Sequence, residues 1–164
     1  MSPYLIAPLL ALAALLQTTV IPLLPGGARP DLMLLIVVAW GIVRGKGEAT
    51  LWGLGGGLFL DLLSGLPFGL QTIGLGAIGL LADLMETNFF RSNLLLPLAA
   101  IFVASLLFHI VEAAAMQTLG YSINWSPYVF GVIIPTAILN TLLMPIVYAI
   151  LRRADHITRP RLTW

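Results

Sequence analysis

Residues 49–69 read ATLWGLGGGLFLDLLSGLPFG, an apolar run from Ala49 to Leu63 that contains one acid, Asp61, and ends in an uncharged turn. A membrane β-strand needs only about ten residues of alternating polarity, so a longer continuous run predicts a helix. The turn, Ser64-Gly65-Leu66-Pro67, leads directly into a second apolar run from Phe68 to Leu84. This stretch therefore predicts two membrane helices joined by a tight connection.

The composition of the whole chain extends this prediction. Hydrophobic residues make up 59% of the 164 residues and charged residues only 9%, whereas soluble domains carry roughly 25% charged residues. So few charges cannot cover a surface that faces water, and the excess apolar surface must face lipid. We predict a single polytopic membrane domain over residues 1–164. The net charge of +1 gives no general attraction to nucleic acid.

Six runs are candidates for membrane helices, since about 20 apolar residues cross the hydrocarbon layer. Their approximate bounds are 4–24, 31–43, 49–63, 68–84, 94–118 and 127–151. The second is short and begins beside Pro30, where a proline costs no hydrogen bond. The first run is expected to be retained as a helix, although Ala11-Leu12-Ala13 also permits cleavage as a signal peptide. We see no internal repeat in the sequence.

The cations predict the orientation of these helices. Six spans with the N-terminus inside place seven of the eight basic residues in the cytoplasm and leave Arg29 outside. The seven are Arg44, Lys46, Arg91, Arg152, Arg153, Arg159 and Arg161. We therefore predict an all-α bundle of six transmembrane helices with both termini in the cytoplasm.

The connections between these runs contain no motif that indicates catalysis. They include no phosphate-binding loop, no His-Glu-x-x-His and no nucleophile elbow. Cysteine is absent, which excludes thiolate nucleophiles and zinc sites built on sulfur. We expect no enzyme activity and no cofactor or metal.

Three ionisable residues within the apolar runs are candidates for function, because such groups are costly inside a membrane. Asp61 is expected in the outer half of the layer, either pinning helix packing through hydrogen bonds or contacting a ligand or partner. His109 and Glu112 are three residues apart and share a helix face. His109 reaches a depth similar to that of Asp61, so these two could pair, while Glu112 lies at or near the outer surface.

Two amide side chains have different expected roles. Asn140 lies near the middle of the last run, between two prolines, so it must bond to another helix or to backbone that the prolines leave free. Structural bonding is the interpretation we favour. Gln71 is expected near the outer interface, where water satisfies it.

The glycines favour close helix packing. Gly53 and Gly57 form a small-xxx-small pair, and Gly65 and Gly69 repeat that spacing across the turn. Small residues let backbones approach where lipid removes the hydrophobic driving force. We expect close packing at this cluster, either within the fold or against a partner helix.

Together these features resemble a known family. They are Pro30-Asp31 before an aliphatic helix, Gly53-x-x-x-Gly57-x-x-x-Asp61 followed by Gly65 and Gly69, and a closing helix whose polar and kinking residues precede a basic pair. In that closing helix, the characteristic residues are Pro135, Asn140 and Tyr148, and the basic pair that follows them is Arg152 and Arg153. With these features in this order, the chain from about Pro30 to Arg153 resembles the MreD family of rod shape-determining membrane proteins.

The resemblance implies a scaffold of the bacterial cell-wall elongation complex without catalytic activity. It implies MreC, a protein with one transmembrane helix, as the direct partner. RodA, a class B penicillin-binding transpeptidase and MreB are implied as further members of the complex. It also implies a fold like the S-components of energy-coupling-factor (ECF) transporters, with a cavity open to the outside into which Asp61 or His109 projects.

Two other functions stay open at this stage. An S-component-like subunit that binds a vitamin would use Ala7 and Ala11 to dock its transporter module, although the outer loops contain a single tryptophan, Trp125. An intramembrane enzyme or proton-coupled transporter would use Asp61, His109 and Glu112, but the sequence shows no second buried acid, nucleophile or interrupted helix pair. The basic residues Arg152 and Arg153 suit anionic lipid headgroups, the interpretation that we favour, or a cytoplasmic partner.

Overall fold

The computed structural model describes residues 3–20, 29–45, 47–84 and 95–158, which form six helices and no strand. Helix α1 comprises Pro3–Leu15 and a π-helical continuation, Leu16–Val20. The next four are α2 (Leu32–Val43), α3 (Glu48–Ser64), α4 (Leu70–Leu84) and α5 (Leu95–Thr118). Helix α6 joins Trp125–Tyr128, the π-helical Val129–Ile133 and Ile134–Thr158. Lys46, Glu86, Arg91, Arg159 and Arg161 lie outside the described residues.

Several helix bounds differ from those predicted. Helix α6 begins at Trp125 and continues to Thr158, well past the predicted end at residue 151. Arg152 and Arg153 therefore lie on a helix rather than in a tail. Helix α4 begins at Leu70 instead of residue 68, because Phe68 and Gly69 belong to the turn before it.

Two helices have the length and apolar composition of membrane spans, Leu95–Thr118 and Trp125–His156. The shorter apolar segments are Ala7–Val20, Leu32–Val43 and Leu70–Leu84. Helices long enough to cross are thus present at two of the six predicted positions, and the count of six spans stays a prediction.

Helix α2 occupies the centre of the bundle. Ten of its twelve residues are buried, and it contacts each of the other five helices. Trp40 on α2 stacks on Trp52 of α3, with ring centroids 4.4 Å apart. Apolar residues on every face of a helix are typical of a helix that is buried on every side. The continuous apolarity of α2 is therefore explained by contact with neighbouring helices rather than with lipid.

Helices α3 and α4 form a closely packed antiparallel hairpin. A methyl group added to Gly53 would overlap the carbonyl oxygen of Leu75, and one added to Gly57 would lie 2.5 Å from Cα of Thr72. The predicted close packing at Gly53 and Gly57 is thus formed within the fold.

Gly65 and Gly69 serve a different purpose from the predicted helix packing. Their φ angles are 68° and 96°, and an added Cβ would meet nothing within 4 Å at either position. The left-handed backbone of the turn requires them, because glycine adopts positive φ without steric cost. The spacing they share with Gly53 and Gly57 is coincidental.

Candidate functional site

Asp61 lies in the last turn of α3, where its carboxylate accepts four hydrogen bonds. Oδ1 accepts the N–H of Gln71 at 3.0 Å, and Oδ2 accepts the N–H groups of Gly69 and Thr72, both at 3.0 Å. The hydroxyl of Thr72 donates to Oδ2 at 2.5 Å. The first N–H groups of a helix have no acceptor within it, and Asp61 supplies one from the preceding helix. The side chain is only 5% exposed.

Asp83, near the end of α4, does the same for α3. It accepts the N–H of Ala49 at 3.2 Å, and the N–H and hydroxyl of Thr50 at 2.8 and 2.7 Å. Each aspartate of the hairpin therefore caps the other helix.

This exchange reveals an internal repeat, so the prediction that the chain has none is wrong. Residues 47–62 and 69–84 share the pattern G-x-x-T-x-x-x-x-x-x-G-L-x-x-D-L with an offset of 22 residues. Because the two copies are antiparallel, the Gly-x-x-Thr start of each lies beside the Asp of the other. We missed the repeat because its matching residues are few and the intervening ones are apolar in both copies.

A polar network joins four helices at the start of α2. Asp31 is the N-cap of α2, where its Oδ1 accepts from the N–H of Leu34 at 3.0 Å and from Nε2 of Gln17 at 2.9 Å. Asn140 on α6 accepts the N–H of Asp31 at 2.8 Å and donates to Oγ of Ser105 on α5 at 3.0 Å. Asn140 is fully buried, and it bonds across helices as its position in the sequence predicted.

Beside this network lies a polar cavity of about 310 Å³. We call it the outer cavity, because the predicted orientation places this end of the bundle outside. Its polar lining comes from α1, α3, α4 and α5 and from the segment before α2. These residues are Gln17, Thr18, Arg29, Asp31, Ser64, Gln71, His109 and Glu112, and the apolar ones are Pro30, Leu60, Leu63 and Phe108.

Gln71 and Glu112 form the wall of the outer cavity between α4 and α5. Nε2 of Gln71 donates to Oε1 of Glu112 at 2.7 Å. The sequence predicted that water at the outer interface satisfies Gln71. Its side chain is instead buried, since the residue is only 8% exposed. Glu112 is partly buried within the bundle, and its position at or near the outer surface of the membrane stays a prediction.

Asp61 and His109 are engaged with different groups. Asp61 caps α4, while Nδ1 of His109 lies 2.8 Å from the carbonyl oxygen of Ser105 on its own helix. His109 lines the outer cavity and Asp61 does not. Over the described ranges, no cluster of three or more His, Asp or Glu residues is arranged to hold a metal.

The opposite end of the bundle holds a second cluster, centred on Arg44. Its Nε contacts Oδ1 of Asp155 on α6 at 2.7 Å, and its guanidinium contacts Glu48 on α3 at 2.9 Å. The guanidinium also lies over the ring of Trp40, 5.2 Å from the centroid. Burial lowers the pKa of Arg44, but the hydrogen bonds that its guanidinium donates to Asp155 and Glu48 outweigh this effect and raise the pKa above its ordinary value. Arg152 and Arg153, on the same helix as Asp155, are exposed.

The comparison with protein families decides the identity of this bundle. The sequence profile of a family described as rod shape-determining protein MreD matches residues 1–154 of the 164-residue chain. The chain belongs to the MreD family. No curated protein and no solved structure was found to match it.

Membership of the MreD family confirms the resemblance inferred from the sequence. It makes the chain a rod shape-determining membrane protein, of a structural family not known for enzyme activity. The likeness to S-components of ECF transporters has no match behind it and stays a prediction.

Several polar residues of this MreD chain escaped the sequence analysis. Gln17, Ser105 and Asp155 were not singled out, and Asp31 was noted only as the start of a helix. Asp31 and Asp155 are buried, so the expectation of no second buried acid beside Asp61 is wrong. An aspartate directly before an apolar run is a signal for an N-cap, whereas Ser105 shows no such signal within its apolar helix.

Proposed function

We propose that the chain is a non-catalytic scaffold of the bacterial cell-wall elongation complex, spanning the inner membrane six times with both termini in the cytoplasm. It binds MreC directly and works with RodA, a class B penicillin-binding transpeptidase and MreB. The MreD family membership supports the role in shape determination. The hydrogen bonds of Asp61, Asp83 and Asn140 also support a scaffold, because these polar side chains connect helices to one another.

The main support for the proposed contact with MreC is a groove between α4 and α5. It has a volume of about 530 Å³. Its lining is apolar apart from Glu112, and large side chains along it such as Ile73 and Val111 are exposed. A transmembrane helix is the occupant we propose, because helix association in lipid depends on shape complementarity rather than on hydrophobicity.

The glycines of the α3–α4 hairpin indicate which face of α4 is left for a partner helix. Gly53 and Gly57 draw one face of α4 onto α3, whereas the face towards α5 carries Gly74 and Ala77. The ring of Phe108 packs against Gly74, where an added Cβ would lie 2.8 Å from it, and the groove runs beside this contact. Gly53 and Gly57, the partner contacts suggested by the sequence, are buried under α4, so we place the MreC helix on the other side of that helix.

Glu112 adds a polar point to an otherwise apolar surface. It lines both the groove and the outer cavity. A hydrogen-bond donor on the MreC helix at this depth would gain an acceptor there, which favours one register of docking over others.

Cysteine crosslinking tests the proposed docking site, since the chain has no cysteine of its own. Ile73→Cys, in the groove, is expected to form a disulfide with cysteines placed along the transmembrane helix of MreC in membranes. Leu142→Cys on α6 is the matched control, because the two residues are 72% and 67% exposed. Equal or preferential crosslinking at Leu142 would contradict the proposed site.

A second experiment separates a helix from a lipid in the groove. Ile73→Trp fills the groove and is expected to reduce recovery of MreC with the chain and to impair rod shape. Leu142→Trp is expected to leave both unchanged. If Ile73→Trp does neither, lipid rather than MreC occupies the groove.

The outer cavity favours one other function, an S-component-like subunit that binds a vitamin. The cavity lies where such a ligand would enter, and Ala7 is exposed on α1 for docking to a transporter module. Purification of the chain with a stoichiometric vitamin would support this function over the scaffold. Recovery with MreC and without a vitamin would support the scaffold.

A further inference from the structure

The outer cavity contains more hydrogen-bond acceptors than the described residues can satisfy. Oε1 of Gln71 is buried and has no hydrogen-bond partner among the described residues, although Nε2 of the same side chain donates to Glu112. Gln71 is more than nine-tenths buried and lines the cavity. An unsatisfied buried oxygen of this kind costs about 1–3 kcal/mol unless a donor reaches it.

Two acids in the same lining need a cation. Asp31 and Glu112 both line the outer cavity, and in the described part of the chain neither forms an ion pair. Carboxylates at membrane depth are costly when they have no counter-charge. The capping bonds at Oδ1 of Asp31 and the single bond from Gln71 to Glu112 leave further acceptor capacity on both groups.

The other two ionisable groups of the lining, His109 and Arg29, form no ion pair with Asp31 or Glu112 in the part of the chain that the structure describes. Nδ1 of His109 lies 2.8 Å from the carbonyl oxygen of Ser105, so its N–H donates within its own helix rather than to either acid. The Arg29 residue is exposed, and its backbone N–H lies 3.4 Å from Oγ1 of Thr136. It forms no ion pair with either acid among the described residues.

We propose that the outer cavity binds an alkylammonium or alkylguanidinium group, held between Asp31 and Glu112 with an N–H directed at Oε1 of Gln71. Leu60, Leu63 and Phe108 supply an apolar surface for the carbon chain of the ligand. The volume of about 310 Å³ is at the small end for ligand sites. It therefore suits a short amine or the end of a Lys or Arg side chain. This site shares Glu112 and Phe108 with the groove that we assign to MreC, whereas Asp31 and Gln71 line the outer cavity and not the groove.

A binding measurement on the full chain in lipid nanodiscs tests this proposal, with 1,5-diaminopentane as the probe. The diamine is expected to bind and to raise the melting temperature. Its quaternary counterpart, 1,5-bis(trimethylammonium)pentane, has the same charge but no N–H donors, and is expected to do neither. Equal effects of the two probes would overturn the proposal, since they would show attraction by charge alone.

Conservative variants locate the site without disturbing the fold. Glu112→Gln and Asp31→Asn remove one charge each but keep an acceptor for Gln71 and for the α2 cap. Each is expected to weaken binding of the diamine at least about tenfold. Thr118→Val, on α5 outside the cavity, is the matched control and is expected to bind normally. Unchanged affinity in both acid variants would overturn the proposal.

The cation can come from a free amine or from a basic side chain of a membrane partner, and one further experiment distinguishes the two. If a partner supplies it, the chain purified with that partner will not bind the diamine, and Asp31→Asn, which lies outside the groove, will weaken the recovery of the partner. If a free amine supplies it, the diamine will bind the chain with and without the partner. This experiment alone rests on the proposed scaffold function, whereas the measurements on the isolated chain do not.

Discussion

Asp61 and Asp83 occupy equivalent positions in the α3–α4 hairpin, and each caps the start of the helix that carries the other. Asp61 receives the N–H groups of Gly69, Gln71 and Thr72, and Asp83 receives those of Ala49 and Thr50. The two ends of the hairpin are thus tied by the same chemistry. This exchange fixes the register of the helices along one another, which in turn brings Gly53 and Gly57 against the backbone of α4.

Removal of the Asp61 carboxylate is expected to destabilise the protein. Asp61→Ala leaves the N–H groups at the start of α4 without an acceptor, which lowers the free energy of unfolding by about 2 kcal/mol. Asp61→Asn keeps one acceptor oxygen and should cost less. Denaturant unfolding in detergent measures both. Asp83→Ala is the comparison, and a smaller loss of about 1 kcal/mol is expected because Asp83 is more exposed.

A loss at Asp61→Ala no greater than that at Asp83→Ala would contradict this account of the cap. In cells, Asp61→Asn is expected to leave assembly with MreC intact or weaken it, with no effect on uptake of any solute. A loss of proton-coupled transport would show that Asp61 has a role beyond the cap.

Substitution of the glycines in α3 tests whether the close packing of α3 on α4 requires glycine at particular positions. Gly53→Ala and Gly57→Ala place a methyl group against the backbone of α4, which cannot yield as a side chain can, and should cost roughly 1–3 kcal/mol. Gly55→Ala is the matched control, since its Cβ would meet only a side-chain carbon of Leu10 at 3.4 Å.

Gly55→Ala is expected to be neutral or slightly stabilising, because alanine is favoured over glycine in a helix interior by about 1 kcal/mol. Melting temperatures of the three variants in one detergent give the comparison. Similar values for all three would show that the close approach of α3 and α4 does not constrain these positions.

Asn140 is expected to be the most sensitive polar residue of α6. Asn140→Leu leaves the N–H of Asp31 and the hydroxyl of Ser105 buried without this partner, at a cost of about 1–3 kcal/mol. Thr141→Val is the control on the adjacent position, since the Thr141 hydroxyl bonds only to the carbonyl of Ala137 on its own helix. Equal stability of the two variants would show that the bridge contributes little.

The orientation of the bundle is testable with single cysteines, which the natural chain lacks. Ser122 and Arg153 are both exposed. Ser122 precedes the start of α6, and Arg153 lies near the other end of that helix. A maleimide that cannot cross membranes is expected to label Ser122→Cys in intact cells with a permeable outer membrane, and Arg153→Cys only after lysis. The reverse pattern would invert the topology proposed from the basic residues.

The family and the helical class of this protein were within reach of the sequence. Its lack of charge and its long apolar runs indicate a membrane helix bundle. The Gly53, Gly57 and Asp61 pattern indicated the MreD family, which the family match confirms. These signals are local, because each depends on the polarity and spacing of residues in one segment.

The partners of the polar residues were decided by the tertiary structure alone. Asn140 was expected to bond across helices, but Asp31 and Ser105 are 109 and 35 residues away, and no spacing rule connects them. Asp61 and His109 were predicted to share a depth in the membrane, yet the turn after α3 brings the start of α4 to the Asp61 carboxylate. Apolar periodicity determines which segments are buried helices, whereas the pairing of buried polar groups depends on how those helices are arranged around α2.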